Sequence, residues 1–281
     1  DEWWSVTVTP RLRCISLGAG VQSTTMALMA AHGEITPMPD CAIFADTQWE
    51  PKAVYECLEV LQGEGDKAGI PIHRVSGGNI RTDAINARMR TKETQEAGGQ
   101  RWGSIPLFTD IDGSVGMLRR QCTKEYKITP IEKKVRELWG DEKRTVGCVS
   151  QWMGISGDEM RRCRTSRTYW IMFYYPLIFA FDRPWHRRDC VNWLKQQGFA
   201  SVPRSACIGC PFHTDEEWRN LAVDEFADAV LFDQQIRNFG GLKADTFLHR
   251  SCKPLNMVDL RTKEEHGQQN WLNECEGMCG V

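Results

Sequence analysis

Ser16-Leu17-Gly18-Ala19-Gly20-Val21-Gln22-Ser23-Thr24-Thr25 follows directly on a short apolar run, Leu12-Arg13-Cys14-Ile15. Met26-Ala27-Leu28-Met29-Ala30 then continues as an apolar, helix-favouring stretch. A strand that breaks into a glycine-rich turn and opens a helix is an anion-binding arrangement, because the turn amides and the positive helix end face one point. Gly18 and Gly20 are expected to take φ values that other residues resist. Without a Cβ they would also let an anion approach the backbone. Ser23 adds a hydroxyl donor. Ordinary turns also carry Gly-x-Gly, so the weight of the reading comes from the rest of the chain.

Working outward, residues 12–17 read as a strand, 23–32 as a helix and 41–45 as a buried parallel strand, an unbroken apolar run. Residues 51–62 read as a helix with Pro51 in its favoured first turn. Residues 71–75 read as a strand and 79–92 as a polar helix. This βαβ alternation predicts an α/β fold, a doubly wound parallel sheet with ligand at the carboxyl ends of its strands. Residues 98–116 read as an irregular, mobile loop over the site, 130–139 as helical, and 144–156 as one or two strands. A nucleotide-binding domain is expected over 1–180. A helical, aromatic-rich region carrying Trp185, Trp193 and Trp218 is expected over 181–281.

At 281 residues and 41% hydrophobic, the chain can bury a full core in one large or two small domains. A formal charge of -2 argues against a general polyanion coat. No apolar run of about 18 residues and no signal-like start is present, so the protein is expected to be soluble, cytoplasmic and without a membrane partner. Twelve cysteines in a chain of this length point to metal or redox chemistry rather than disulfides.

The dinucleotide fingerprint needs glycine where Ser23 stands, and the Walker A loop needs a lysine that the turn lacks. The turn instead resembles the PP-loop, S-G-G-x-D-S, of the ATP pyrophosphatases and the phosphoadenosine phosphosulfate (PAPS) reductase family. Gly20 and Ser23 fit; Gly18, Ala19 and Gln22 replace the first Ser, a Gly and the Asp. Phe44-Ala45-Asp46-Thr47 looks like the family's second strand, and Gln121-Cys122-Thr123-Lys124-Glu125-Tyr126-Lys127-Ile128-Thr129-Pro130 resembles its C-C-x-x-R-K-V-x-P, with Thr123 for the second Cys. Cys207-Ile208-Gly209-Cys210 resembles its later C-x-x-C, and Asn273-Glu274-Cys275-Glu276-Gly277 its terminal E-C-G. The resemblance implies a Rossmann-like sheet of the adenine nucleotide alpha-hydrolase type. ATP with Mg2+ would lie on Ser16, Gly18, Ala19, Gly20, Gln22, Ser23, Asp46 and Thr47. It also implies a [4Fe-4S] cluster on Cys122, Cys207 and Cys210, and catalytic roles for Cys275, Arg161 and Asp46.

Cys207 and Cys210 alone are also compatible with a thioredoxin-like pair or half a zinc site. Three thiolates on a cubane leave one iron open, which suits holding a sulfur rather than a closed structural role. Cys14, Cys41, Cys57 and Cys148 read as small buried hydrophobes. Cys275 and Cys279 read as a sulfur-carrying pair, a fourth cluster ligand, or neither. Arg161, Arg162, Arg164 and Arg167 lie close together, near Tyr169, Trp170, Tyr174 and Tyr175. Guanidinium forks suit phosphate and aromatics stack bases, whereas the plain alternative is a solvated basic face beside a buried strand. His249-Arg250-Ser251 reads as an anion contact or a turn.

Three functions follow. The first is an ATP-dependent sulfur transferase that adenylylates an acceptor, tRNA or DNA, and replaces an oxygen with sulfur taken from sulfide or a donor protein. The second is a PAPS or adenylyl-sulfate reductase that releases sulfite through Cys275. The third is a non-catalytic nucleotide-binding iron–sulfur module. A homodimer is compatible with each.

Overall fold

The computed structural model describes residues 9–86, 104–238, 244–261 and 265. In chain order the elements are β1 (Leu12–Leu17), α1 (Val21–Ala31), β2 (Cys41–Asp46), α2 (Lys52–Ala68), β3 (Ile72–Ser76) and α3 (Ile80–Asn86). Next come β4 (Phe108–Ile111), β5 (Ser114–Met117), a π-helical turn (Thr123–Ile128), α4 (Thr129–Trp139) and β6 (Val149–Met153). A 3-10 turn (Gly157–Arg162), β7 (Ile171–Tyr174), α5 (Pro176–Phe179) and α6 (Arg187–Gln196) follow. α7 (Asp215–Arg219), α8 (Val223–Gln235) and β8 (Thr246–Phe247) come last among these helices and strands.

The chain divides into two compact units, one of Asp1–Asn79 with Cys122–Cys207, the other of Ile80–Gln121 with Ile208–Val281. The sequence placed a single boundary near residue 180. In the structure α6, beyond that point, packs on α1 through Cys190, Trp193 and Leu194 and so belongs to the first unit.

The first unit is an α/β fold, a five-stranded sheet in the order β3-β2-β1-β6-β7 with every pairing parallel. Alternation along the strands sends side chains to two cores. Ile15, Leu17, Ala42, Phe44 and Trp152 join α1, α2 and α6 in one core. Cys14, Cys41, Ile43, Ala45 and Val149 join Ile131 and Val135 of α4 in the other. Both faces are covered, which is why β2 is buried at all six positions and reads as a continuous apolar run. Cys14, Cys41 and Cys148 are buried as expected of small hydrophobes; Cys57 is half-buried.

The second unit carries a three-stranded antiparallel sheet, β5-β4-β8. β4 and β5 form a hairpin in place of the irregular loop expected there. Its two-residue turn, Asp112-Gly113, takes φ of 51° and 82°, the left-handed pair that such hairpins require. The remainder of the expected loop, residues 98–103, lies outside the described residues, as does the end of the expected helix at 87–92. Trp218 and Phe232 are wholly buried in this unit. Asp233 is buried as well; it accepts the amides of Leu248 and Leu255 and pairs with Arg237. Among the described residues no helix is long and apolar enough to cross a membrane.

Candidate functional site

In the first unit the sheet grows from β1 through β2 to β3, then restarts on the other side of β1 with β6. That reversal makes the carboxyl ends of β1 and β6 the crevice where a ligand binds in open α/β sheets. The segments leaving those ends are Gly18–Ser23 and Gly154–Arg162, and they are pressed together. A Cβ on Gly154 would stand 2.8 Å from the Ser23 amide nitrogen and 2.9 Å from its Cα.

The turn after β1 closes on itself. Gly18 and Gly20 donate their amides to Ser23 Oγ, each at 3.3 Å, and Ser23 Oγ donates to Gly20 O at 3.2 Å. The left-handed residue is Ala19, at φ 53°, whereas Gly20 stays extended at φ -100°. The glycines therefore serve close approach rather than unusual dihedrals. A Cβ on Gly18 would meet Ser205 Oγ at 3.1 Å, and one on Gly20 would meet Ser205 Cβ at 3.2 Å and its backbone nitrogen at 3.3 Å. Ser16, on β1, lies opposite Ile43 and Met153.

Gln22 ties this turn to the 3-10 turn after β6. Arg187 donates to Gln22 Oε1 at 2.9 Å, and Gln22 Nε2 donates to Glu159 Oε2 at 3.3 Å and Ser156 Oγ at 3.4 Å. An aspartate here would set one carboxylate against another; the amide gives Glu159 a donor instead. Asp158 caps the arrangement by accepting the Arg187 amide at 2.9 Å. Burial works against its charge, but the Ser156 hydroxyl and that amide hold its carboxyl below the usual range. Arg161, Arg162, Arg164 and Arg167 are exposed along this segment, as is Tyr169. Arg162 pairs with Glu159 at 2.6 Å. The backbone of Arg164 is pinned through both its amide and its carbonyl to the Tyr175 hydroxyl, at 2.8 and 2.7 Å.

The end of β2 carries two carboxylates with different surroundings. Asp46 is saturated: Oδ1 accepts from the Gln48 amide at 2.7 Å and the Tyr55 hydroxyl at 2.9 Å, and Oδ2 accepts from Arg74 at 2.9 and 2.6 Å. Arg74 also stacks over the Tyr55 ring, 4.9 Å from its centroid. Burial and the bond to Asp46 push the Tyr55 hydroxyl up to about 12. Asp46 thus fixes a guanidinium whose side chain is 55% exposed.

Glu50, by contrast, is 1% exposed at its side chain, and its Oε2 has no hydrogen-bond partner among the described residues. Its Oε1 accepts from Thr47 Oγ1 at 3.0 Å and from Cys207 Sγ at 3.7 Å, and lies 3.5 Å from Lys127 Nζ. Thr47 Oγ1 and Cys207 Sγ are 3.2 Å apart. Ser205 on the glycine turn and Cys207 beside Thr47 therefore belong to one strap that joins the ends of β1 and β2.

The structure thus brings together Gly18, Ala19, Gly20, Ser23 and Gln22 in one turn, and Thr47 with Cys207 beside it. Cys122 stands at the start of the π-helical turn in the first unit, and Cys210 belongs to the second. Cys275 and Cys279 lie outside the described residues. Among the described residues no three His, Cys, Asp or Glu side chains form a group that could hold a metal ion. Sequence reasoning missed Glu50, Arg74, Ser205 and Gly154 as a contact; it read Lys127 as positive charge near the Cys122 segment but not as the partner of Glu50. Only Gly154, a glycine closing a predicted strand, carried a local signal. No family model matches the chain, and no curated protein matches it.

Proposed function

We propose that the chain is an ATP-dependent sulfur transferase built on a sheet of the adenine nucleotide alpha-hydrolase type. The observation that carries the reading is the glycine turn Gly18–Ser23 at the strand-order reversal between β1 and β6, where an open α/β sheet receives its ligand. ATP on this turn would present its α-phosphorus to an oxygen of the acceptor. A new P–O bond forms, the bond to the β-phosphate breaks, and pyrophosphate leaves. The acceptor oxygen is then part of an AMP ester. A sulfur nucleophile forms a bond to the acceptor atom that carried the oxygen, a base carbon in tRNA or a backbone phosphorus in DNA. The bond from that atom to the oxygen breaks, and AMP departs with the oxygen.

The exposed arginines 161, 162, 164 and 167 beside the crevice suit a polyanionic acceptor, tRNA or DNA, whose phosphates they would meet bidentately. Arg161, on the segment tied to Gln22, would lie near the acceptor's anionic group. On the resemblance alone, Cys122, Cys207 and Cys210 are the residues that would hold an iron–sulfur cluster, and the transfer above takes its sulfur from sulfide or a donor protein without a step routed through that cluster. Protein purified without oxygen would then contain about four irons per chain; zinc in their place removes the cluster from the proposal.

The test is product analysis. Protein incubated with Mg·ATP, a sulfur donor and bulk tRNA or DNA should release AMP and pyrophosphate in equal amounts and leave thiolated nucleic acid. Release of ADP, or sulfite formed from PAPS without ATP consumption, overturns the reading.

A further inference from the structure

Carboxylates are what a protein offers a magnesium ion: one or two of them, with water and substrate phosphates completing the shell. At the carboxyl ends of the first unit's strands most such groups are already engaged. Gln22 is an amide, held by Arg187. Asp46 has both oxygens taken by Gln48, Tyr55 and Arg74. Glu159 is shared between Arg162 and Gln22. Asp158 accepts the Arg187 amide. Glu50 differs, because it is almost wholly buried and one of its oxygens has no hydrogen-bond partner among the described residues.

A buried carboxylate oxygen left without a donor keeps the full cost of its lost hydration, so it marks a place where something else belongs. The neighbouring groups gather on the other oxygen of the same carboxylate: Thr47 Oγ1 at 3.0 Å, Lys127 Nζ at 3.5 Å and Cys207 Sγ at 3.7 Å. Oε2 is therefore the side left for a cation, with the Thr47 hydroxyl the one oxygen among these neighbours.

We infer that Glu50, with Thr47 beside it, supplies the protein ligands for the divalent cation that accompanies the nucleotide triphosphate. This rests on the nucleotide reading above and names the residue that takes over the metal at a turn with no acidic side chain of its own. Bound there, the cation would neutralise charge on the phosphates, with water completing its shell.

The test uses the full chain, Mn2+ and a non-hydrolysable ATP analogue, with free Mn2+ read by electron paramagnetic resonance. Wild-type protein with the analogue should bind Mn2+. Glu50→Gln, equal in size and still able to accept from Thr47, should weaken Mn2+ at least tenfold while changing metal-free analogue binding less than twofold. A second measurement needs no variant: Fe2+ with ascorbate and hydrogen peroxide, in place of Mg2+, should oxidise the chain at 47–50 only when the analogue is present, the peroxide serving as oxidant. If wild type binds the analogue but Glu50→Gln holds Mn2+ equally well, or oxidation falls elsewhere, the inference is overturned and the nucleotide reading stands. If wild type binds no analogue with or without metal, the nucleotide reading itself fails.

Discussion

Gly154 and Ser23 are in contact so close that a single methyl group on the glycine would reach the serine amide nitrogen at 2.8 Å. The end of β6 and the start of α1 therefore hold one another in place, and the turn between β1 and α1 inherits its position from a residue far along the chain.

Gly154→Ala should accordingly cost about 1–3 kcal/mol, the usual price of overpacking against backbone, and should weaken ATP binding more than tenfold. The control is Gly63→Ala in the middle of α2, where an added Cβ meets nothing within 4 Å. That change should stabilise by about 0.5–1 kcal/mol. Chemical denaturation and calorimetric ATP titration check both; equal effects of the two would remove the contact's significance.

The strap against the turn gives a second, reciprocal pair. Gly20→Ala places a methyl 3.2 Å from Ser205 Cβ and should lower both stability and ATP affinity. Ser205→Gly removes that carbon, so the double variant should recover much of the loss. The backbone nitrogen of Ser205, at 3.3 Å, limits the recovery. A double-mutant cycle on melting temperature and nucleotide affinity reads the coupling, and additive losses would contradict it.

Asp46→Asn removes a charge that two Arg74 nitrogens and Tyr55 share. A loss of about 1–3 kcal/mol is expected, as for a hydrogen bond to a charged group, with the Arg74 side about half exposed and correspondingly weaker. The Tyr55 hydroxyl, freed of the carboxylate, should titrate below its present value of about 12. Ultraviolet difference titration of tyrosinate reports this directly, and an unchanged curve would separate Tyr55 from Asp46.

Much of the central sheet is legible in the residues themselves. Leu12–Leu17 and Cys41–Asp46 are apolar runs because both faces of the sheet are covered, and the glycine turn announces its own break. The hairpin at β4 and β5 was legible too, in Asp112-Gly113, but the glycine-rich stretch before it suggests a loop. What local sequence does not carry is Glu50, Lys127, Arg74 and Ser205. Each acquires its meaning from a partner on a different segment: Glu50 from Cys207 and Lys127, Arg74 from Asp46, Ser205 from Gly18. No periodicity or spacing within a window records such meetings. Gln22 is a similar case, a departure from the PP-loop pattern that acquires a reason only once Glu159 and Arg187 are beside it.

Burial raises the thiols of Cys41 and Cys190 to about 11, and raises Cys14 as well. In the unfolded chain a cysteine ionises near pH 8.5, roughly. Between those values the folded protein binds the protons and the unfolded chain releases them, so stability is intact below about pH 8.5 and falls as pH rises toward 11. Urea midpoints measured from pH 7 to 10 should decline, and Cys41→Ala with Cys190→Ala should flatten the decline. Iodoacetamide at pH 8 should spare Cys14, Cys41 and Cys190 until urea is added; modification of these three in native protein would contradict their placement.

β1 sits between β2, completed by Asp46, and β6, which begins only at Val149. On a chain emerging from the ribosome, one whole side of Leu12–Leu17 stays an open edge while the second unit's first segment is being made. Such an edge invites pairing with other nascent chains. The long wait between its two neighbours makes the half-synthesised protein the form most in need of a chaperone.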